Sequence, residues 1–271
     1  ASLNYVNRNS SVVTAGQGAS TGATAFQGLS QMPRDIPVTA FKDYRNKYFN
    51  EDNYFTPYAT NPYFSIAENG NDFNNERFYG NVNLDYQFLP WLSSSLTVGT
   101  DVSDSRIKEW TAINAPLLGS PNAGRSPDVG SVIESSLYRG EINADWITSM
   151  NRKLSDSFTI DGMIGVNLNE RNARNLAAQI TGLTIPKFYA LSNSSAPPVS
   201  MTGYSKRRLV GTYAQANVAY NNYLYLTLNA RNDWSSTLPS DRNSYFYPGA
   251  SLSFVLTDAV NGLNNYGLSF A

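Results

Sequence analysis

The 271-residue chain contains no cysteine and no histidine. The first absence removes disulfides and thiolate chemistry, and the second removes the commonest metal ligand and the usual general base. Charge is also scarce: Asp, Glu, Lys and Arg make up 15% of the residues and sum to −1. The basic footprint of a nucleic-acid binder is therefore missing, and no nucleic-acid partner is expected. No stretch approaches the roughly 20 apolar residues that a membrane helix needs. That does not exclude transmembrane strands, whose residues alternate and average out as polar. No signal segment is present either: Ala1-Ser2-Leu3-Asn4-Tyr5-Val6 reads as the middle of a strand. Gly267-Leu268-Ser269-Phe270-Ala271 opens an alternating pattern at the other end, so a segment of a longer protein is expected.

Strict alternation fills much of what remains. Phe78, Gly80, Val82, Leu84, Tyr86 and Phe88 fall on one face, and Tyr79, Asn81, Asn83, Asp85 and Gln87 on the other. Leu89-Pro90-Trp91 makes a turn, after which Leu92, Ser94, Leu96, Val98 and Thr100 return. The same pattern recurs over 138–146, 158–168, 210–218, 224–231 and 245–256. A period of two with one wet face predicts half-buried strands. Ten steps from Phe78 to Phe88 span roughly 33 Å, or roughly 25 Å at a tilt of about 40°, which matches the apolar band of an outer-membrane barrel. Sandwich strands average about 5–6 residues, so a soluble antiparallel β protein with its aromatics in a core is the weaker reading.

Connections alternate in length as well. Short turns are expected at Leu89–Trp91, Ser149–Ser157 and Asn221–Asn222, the last as a two-residue hairpin because Asn tolerates positive φ. Long loops are expected at about 8–76, 107–135, 171–206 and 235–242. Short turns on one side and long loops on the other fit periplasmic turns and extracellular loops. Trp91, Trp146, Phe158, Tyr220 and Tyr223 flank the short turns, where an interfacial girdle belongs. In the first loop, Ala25 to Met32 predicts a short helix ended by Pro33, followed by many aromatics among Asn residues. A loop of that length is functional or packs as a unit.

Several motifs with chemical possibilities read more simply. Gly16-x-Gly18 with Gly22 lacks the spacing and the βαβ setting of a phosphate loop, so a flexible loop is expected. Asn69, Asn71, Asp72, Asn74 and Glu76 offer oxygens to calcium, but the spacing fits no EF-hand and a solvated turn is expected. Asp101 with Asp104 and Glu141 with Asp145 suggest glycoside hydrolysis, yet strand residues four apart lie about 13 Å from each other. Solvation, or cross-strand pairing with Arg139, explains them better. No catalytic, cofactor or metal residue is assigned, and the chain is not expected to be an enzyme.

Ala230–Pro239, ARNDWSSTLP, with Tyr245–Asp258, YFYPGASLSFVLTD, resembles the SusC/RagA family of TonB-linked outer-membrane proteins. Asn74–Leu92, NNERFYGNVNLDYQFLPWL, is similar to the family's strand, Pro-Trp turn and strand, and Met32–Pro37 and Asn61–Phe64 add shorter matches. The resemblance implies an all-β, antiparallel transmembrane β-barrel wall of about eight strands with long extracellular loops. All 271 residues would belong to that single barrel domain of a 22-stranded protein in the bacterial outer membrane. It implies import of large nutrients, oligosaccharide or peptide, with a SusD-like surface lipoprotein, outer-membrane lipid and the TonB complex as partners. The plug, the TonB box and the remaining strands would be supplied outside these residues. Asp85, Arg139, Glu141, Asp145, Arg231 and Asp233 are the candidate lumen or mouth contacts, although Arg231 and Asp233 read better as a structural corner that ties down the loop. Tyr54, Tyr58, Tyr63 and Phe64 are candidate loop aromatics, for stacking on sugars or packing under a lid, with self-packing the simpler alternative. Two other functions stay open: a SusC-like barrel serving as a scaffold in an envelope assembly, and a soluble sugar-binding β module.

Overall fold

The structure is a computed structural model that describes residues 1–12, 25–45, 48–124 and 127–260. Gly16, Gly18 and Gly22 lie outside them. Eight strands form one antiparallel sheet in chain order. They are β1 (Ser2–Val12), β2 (Gly70–Leu89), β3 (Leu92–Asn114), β4 (Asp128–Lys153), β5 (Phe158–Thr181), β6 (Val199–Tyr220), β7 (Leu224–Ser235) and β8 (Ser244–Phe254). The long β1–β2 connection carries helices α1 (Ala25–Ser30) and α2 (Pro62–Glu68), and a short α3 (Leu256–Ala259) follows β8. Helix α1 stops two residues before Met32, earlier than Pro33 alone suggests.

Strands β2 to β6 are longer than alternation indicates, at 20 to 26 residues each. The intervals expected as loops at 8–76, 107–135 and 171–206 narrow to 13–69, 115–127 and 182–198 between strands, and the one expected at 235–242 keeps its length at 236–243. Asn71 to Glu76 are strand residues paired to both β1 and β3, which replaces the solvated turn expected there. The physical reason is that alternation reports a difference between two faces. Beyond the lipid both faces are wet, so backbone pairing continues while the sequence signal disappears.

Register puts like with like across the sheet. One row runs Val82, Val98, Ala144, Leu168, Val210 and Trp234. The next residue on each strand gives the opposite face: Asn83, Thr97, Asp145, Asn167, Gly211 and Asp233. A slip of one residue anywhere would bring polar groups to the apolar face, so the pattern pins the register. The apolar face is left bare, with Leu84 63% and Leu252 70% exposed. A continuous apolar surface of this extent requires a non-aqueous neighbour.

The turns gather at one end. Leu89 pairs with Leu92 across Pro90-Trp91, and residues 154–157 join β4 to β5. The third turn holds three residues, not two: Asn221 and Asn222 adopt φ of 47° and 62°, and the Tyr223 N–H donates to the Tyr220 carbonyl at 3.1 Å. Tyr223 is kept in the turn because its ring packs edge-on against Tyr220 (5.5 Å) and Phe254 (5.8 Å). With Phe158 against Tyr220 at 4.9 Å and Arg152 over Trp91 at 5.0 Å, these rings make a belt at the turn end. Trp146 lies higher, paired with Leu96 four residues above the Leu92–Met150 pair, and it does not join the belt.

Buried cores sit at the far end. Phe41, Tyr54 and Ala59 form one with Met32, Ile36, Phe49 and Tyr63 around them, while Val132, Ile180 and Leu183 form another with Trp110 and Tyr189.

Candidate functional site: the polar face and its mouth

All six candidate contacts fall on the polar face. Asp85 shares a register row with Arg231, and Asp145 shares one with Asp233. Arg139 and Glu141 stand two residues apart on β4, also on that face. The lower part is a lattice of amides and carboxylates. Asn167 and Asn143 each donate to Asp145 at 2.8 Å, Asn169 donates to Glu141 at 2.7 Å, and Asn83 donates to Asp85. Such groups offer closely spaced donors and acceptors, a surface that solvates a passing ligand without holding it.

Arg231 and Asp233 are joined by a 2.8 Å ion pair, and the Arg231 guanidinium lies 5.6 Å from the centre of the Tyr213 ring. Gly165 and Gly211 leave the space for this stack, since a Cβ on Gly165 would meet the Tyr213 ring and one on Gly211 would meet Arg231 and Asp233. The motif is thus a built corner, and its charge is largely consumed within it.

Higher on the face the expected pairing with Arg139 does not form. Asp101 is held by a two-pronged contact from Arg77, and Glu141 by Arg171 at 3.0 Å. Arg77 on β2 and Arg139 on β4 both face Ser103, one from each side, and it is Arg77 that reaches diagonally to Asp101. Pairings of this kind depend on register and cannot be seen along one strand.

The loop aromatics divide. Tyr54 is 2% exposed, edge-on to Phe41 at 5.5 Å, and burial, with Glu51 adding to it, pushes its phenol upward. Tyr63 packs on the same cluster, and Phe64 meets Tyr44 at 5.8 Å. Tyr58 alone of the four is open to solvent, at 80% exposure. Self-packing therefore accounts for three of them.

Buried Asn and Glu residues, which sequence reasoning missed, bind the loops together. Asn61 is fully buried, donates to the Phe41 and Phe49 carbonyls at 3.0 Å each, and caps α2 by accepting from the Tyr63 N–H at 2.9 Å. Asn122 donates to the carbonyls of Glu51 and Tyr54, and Asn193 to those of Ile185 and Phe188. The only local signal was Asn61-Pro62, a cap before an N-terminal proline. Glu68 joins three segments: it accepts from Tyr44 (2.8 Å), Arg45 (3.0 Å) and Lys187 (3.4 Å), and its backbone carbonyl accepts from Trp110 and Tyr189. Burial raises its carboxyl, but those donors outweigh burial and hold it below the ordinary value. Among the described residues no three Asp or Glu side chains gather to hold a metal.

A bare apolar face, a polar face, turns at one end and packed loops at the other describe a barrel wall. Residues 14–271 match the family described as TonB dependent receptor-like, beta-barrel. The chain belongs to that family. No curated protein matches it. Among solved structures, the RagAB peptide transporter is similar with a TM-score of 0.64 at 15% identity, over 73% of this chain and 22% of that one. The RagAB peptide importer in its closed-closed state gives 0.64, also at 15% identity, over 73% and 21%. Its open-open state gives 0.60 with the same identity and coverage. The chain therefore spans about a fifth of the length of these proteins. The SusC/RagA resemblance is borne out at the level of family and fold. As a TonB-dependent receptor barrel wall in the bacterial outer membrane, the apolar face meets lipid and the polar face lines the lumen.

Proposed function

We propose that the chain is part of the wall of a TonB-dependent importer of large nutrients, working with a SusD-like surface lipoprotein. The observation that carries this is the polar face itself: a continuous lattice of Asn, Asp, Arg and Tyr, facing away from lipid and rising to a rim of ordered loops. A scaffold barrel would share such a wall, and the similarity to a peptide transporter favours import over it. The similar structures are of a peptide transporter, which supports peptide over oligosaccharide as cargo. Tyr58, exposed at the rim, is positioned to meet the lipoprotein or the cargo. The lower lattice lets cargo pass, while opening of the lumen depends on a plug and on energy delivered through TonB.

The test is uptake of a labelled peptide mixture by cells carrying the full-length protein, with and without a functional TonB complex. Import predicts accumulation that stops when TonB is removed. Uptake that is indifferent to TonB, with an envelope that loses integrity when the protein is deleted, would favour the scaffold reading.

A further inference from the structure

The import reading leaves cargo chemistry open, and the upper polar face narrows it. Arg77 stands twelve residues above Leu89, Arg171 thirteen above Phe158, Arg207 thirteen above Tyr220, and Arg139 fourteen above Lys153. Measured from their own turns, the four guanidiniums are at nearly one height. At about 3.3 Å per residue and a tilt of about 40°, that height is roughly 33 Å, just above an apolar band of about 25 Å. The four therefore form a belt at the mouth, on the lumen side, and Arg8 on β1 extends it. A groove of about 880 Å³ runs along these five arginines.

Only two carboxylates, Asp101 and Glu141, line the same groove, and Arg77 and Arg171 already hold them. Among the described residues Arg139 and Arg207 have neither an ion pair nor a hydrogen bond, and both are exposed. Arg8 rests against the Phe73 ring at 5.9 Å. Five arginines against two paired carboxylates leave a positive surface. Short Ser103, Ser105 and Ser205 between the arginines leave the guanidiniums proud of the wall. Across the strands from β1 to β6 the belt covers roughly 24 Å, the length of about seven extended residues. Below it the face changes sign, with Asp85, Asp145, Asp161 and Asp233 against Arg231 and, at the turn end, Lys153, which pairs with Asp156.

We propose that this belt is a capture site for acidic peptides, in which Arg139 and Arg207 take the carboxylates of an extended cargo at the mouth. The proposal rests on the import reading for the cargo being a peptide. A guanidinium fork suits a carboxylate in two-pronged geometry, and exposed pairs exchange quickly enough to release it. The lattice below offers a carboxylate no second cationic holding point of this kind, so retention is confined to the mouth and cargo released from it passes on.

The test uses the full-length protein, purified in detergent with its lipoprotein. The probes are a fluorescent nine-residue peptide with Glu at alternate positions, its Lys counterpart and an oligogalacturonate. The expected result is binding of the Glu probe about tenfold or more tighter than the Lys probe, weakening with salt. R139Q/R207Q should lose that preference. R174Q, which removes one charge from the opposite face, should keep it; should the double variant fail to fold, Arg207→Gln alone decides. Equal binding of the two peptides overturns the proposal, as does a preference that survives in R139Q/R207Q or is lost equally in R174Q. So does oligogalacturonate binding where the Glu peptide does not. Binding needs no energy source, so a failure of TonB-dependent uptake would leave these ratios readable.

Discussion

The ring of Tyr213 lies across Gly165, filling the place where any other residue would carry its Cβ. That overlap lets Tyr213 receive the Arg231 guanidinium, which in turn holds Asp233. Gly165→Val should push the ring aside and release the corner, at a cost of about 1–3 kcal/mol for overpacking. At Gly162 an added Cβ makes ordinary contacts of 3.4 Å or more, and Gly162→Ala should be tolerated. Thermal unfolding of the two variants, followed by heat-modifiable gel migration, compares them directly; equal midpoints would contradict the assigned role of Gly165.

Asn61 stands in for secondary structure in the first loop, satisfying two carbonyls and one N–H. Asn61→Ala should cost about 3 kcal/mol locally, at about 1 kcal/mol per neutral hydrogen bond. The expected sign is faster protease cleavage between residues 37 and 69 in an otherwise intact barrel. Tyr58→Ala, at an exposed position, should leave cleavage unchanged.

Glu68 makes the docking of this loop sensitive to acid. Its folded-state pKa lies below the ordinary carboxyl value of about 4.3. In the undocked loop the carboxylate takes up a proton first, so the docked form is favoured above that ordinary value and loses the contribution as pH falls through the depressed pKa. Cleavage of the loop by an acid-active protease should therefore rise as pH falls below the ordinary carboxyl value in the native protein. Glu68→Gln should cleave faster throughout and show a flatter profile; a variant with the native pH dependence would exclude Glu68 as its source.

What could be read in advance follows from where the two faces of a strand differ. Phe78 to Phe88 alternates because one side meets lipid, and that periodicity alone puts Asp85, Arg139, Glu141, Asp145 and Arg231 on one face, whereas Asp233 lies past the alternating run and its face is fixed by pairing with Gly211. Above the lipid, Asn71 to Arg77 is polar on both sides, so β2 looked like loop although its backbone pairs throughout. The partners of Asp101 and Glu141 were hidden because Arg77 and Arg171 lie on neighbouring strands, and sequence does not show register. Asn61, Asn122 and Asn193 bond to carbonyls of residues between five and 71 positions away, and apart from the Asn61-Pro62 cap nothing local distinguishes them from the many solvated Asn residues.

Register also ranks positions on the lipid face. Leu84 is five residues above Leu89, near mid-height of the apolar band, whereas Leu226 is only two above Leu224 and sits close to the turn end. A charge at Leu226 should cost at most about 1 kcal/mol, against about 2–4 kcal/mol at the midplane.

The most direct measurement is the folding free energy of the full-length protein in lipid vesicles with Arg placed at Leu84 and, separately, at Asn83. A barrel wall with its apolar face in lipid predicts a loss of about 2–4 kcal/mol for Leu84→Arg and little change for Asn83→Arg. Equal losses at the two positions, or a larger one at Asn83, would contradict it.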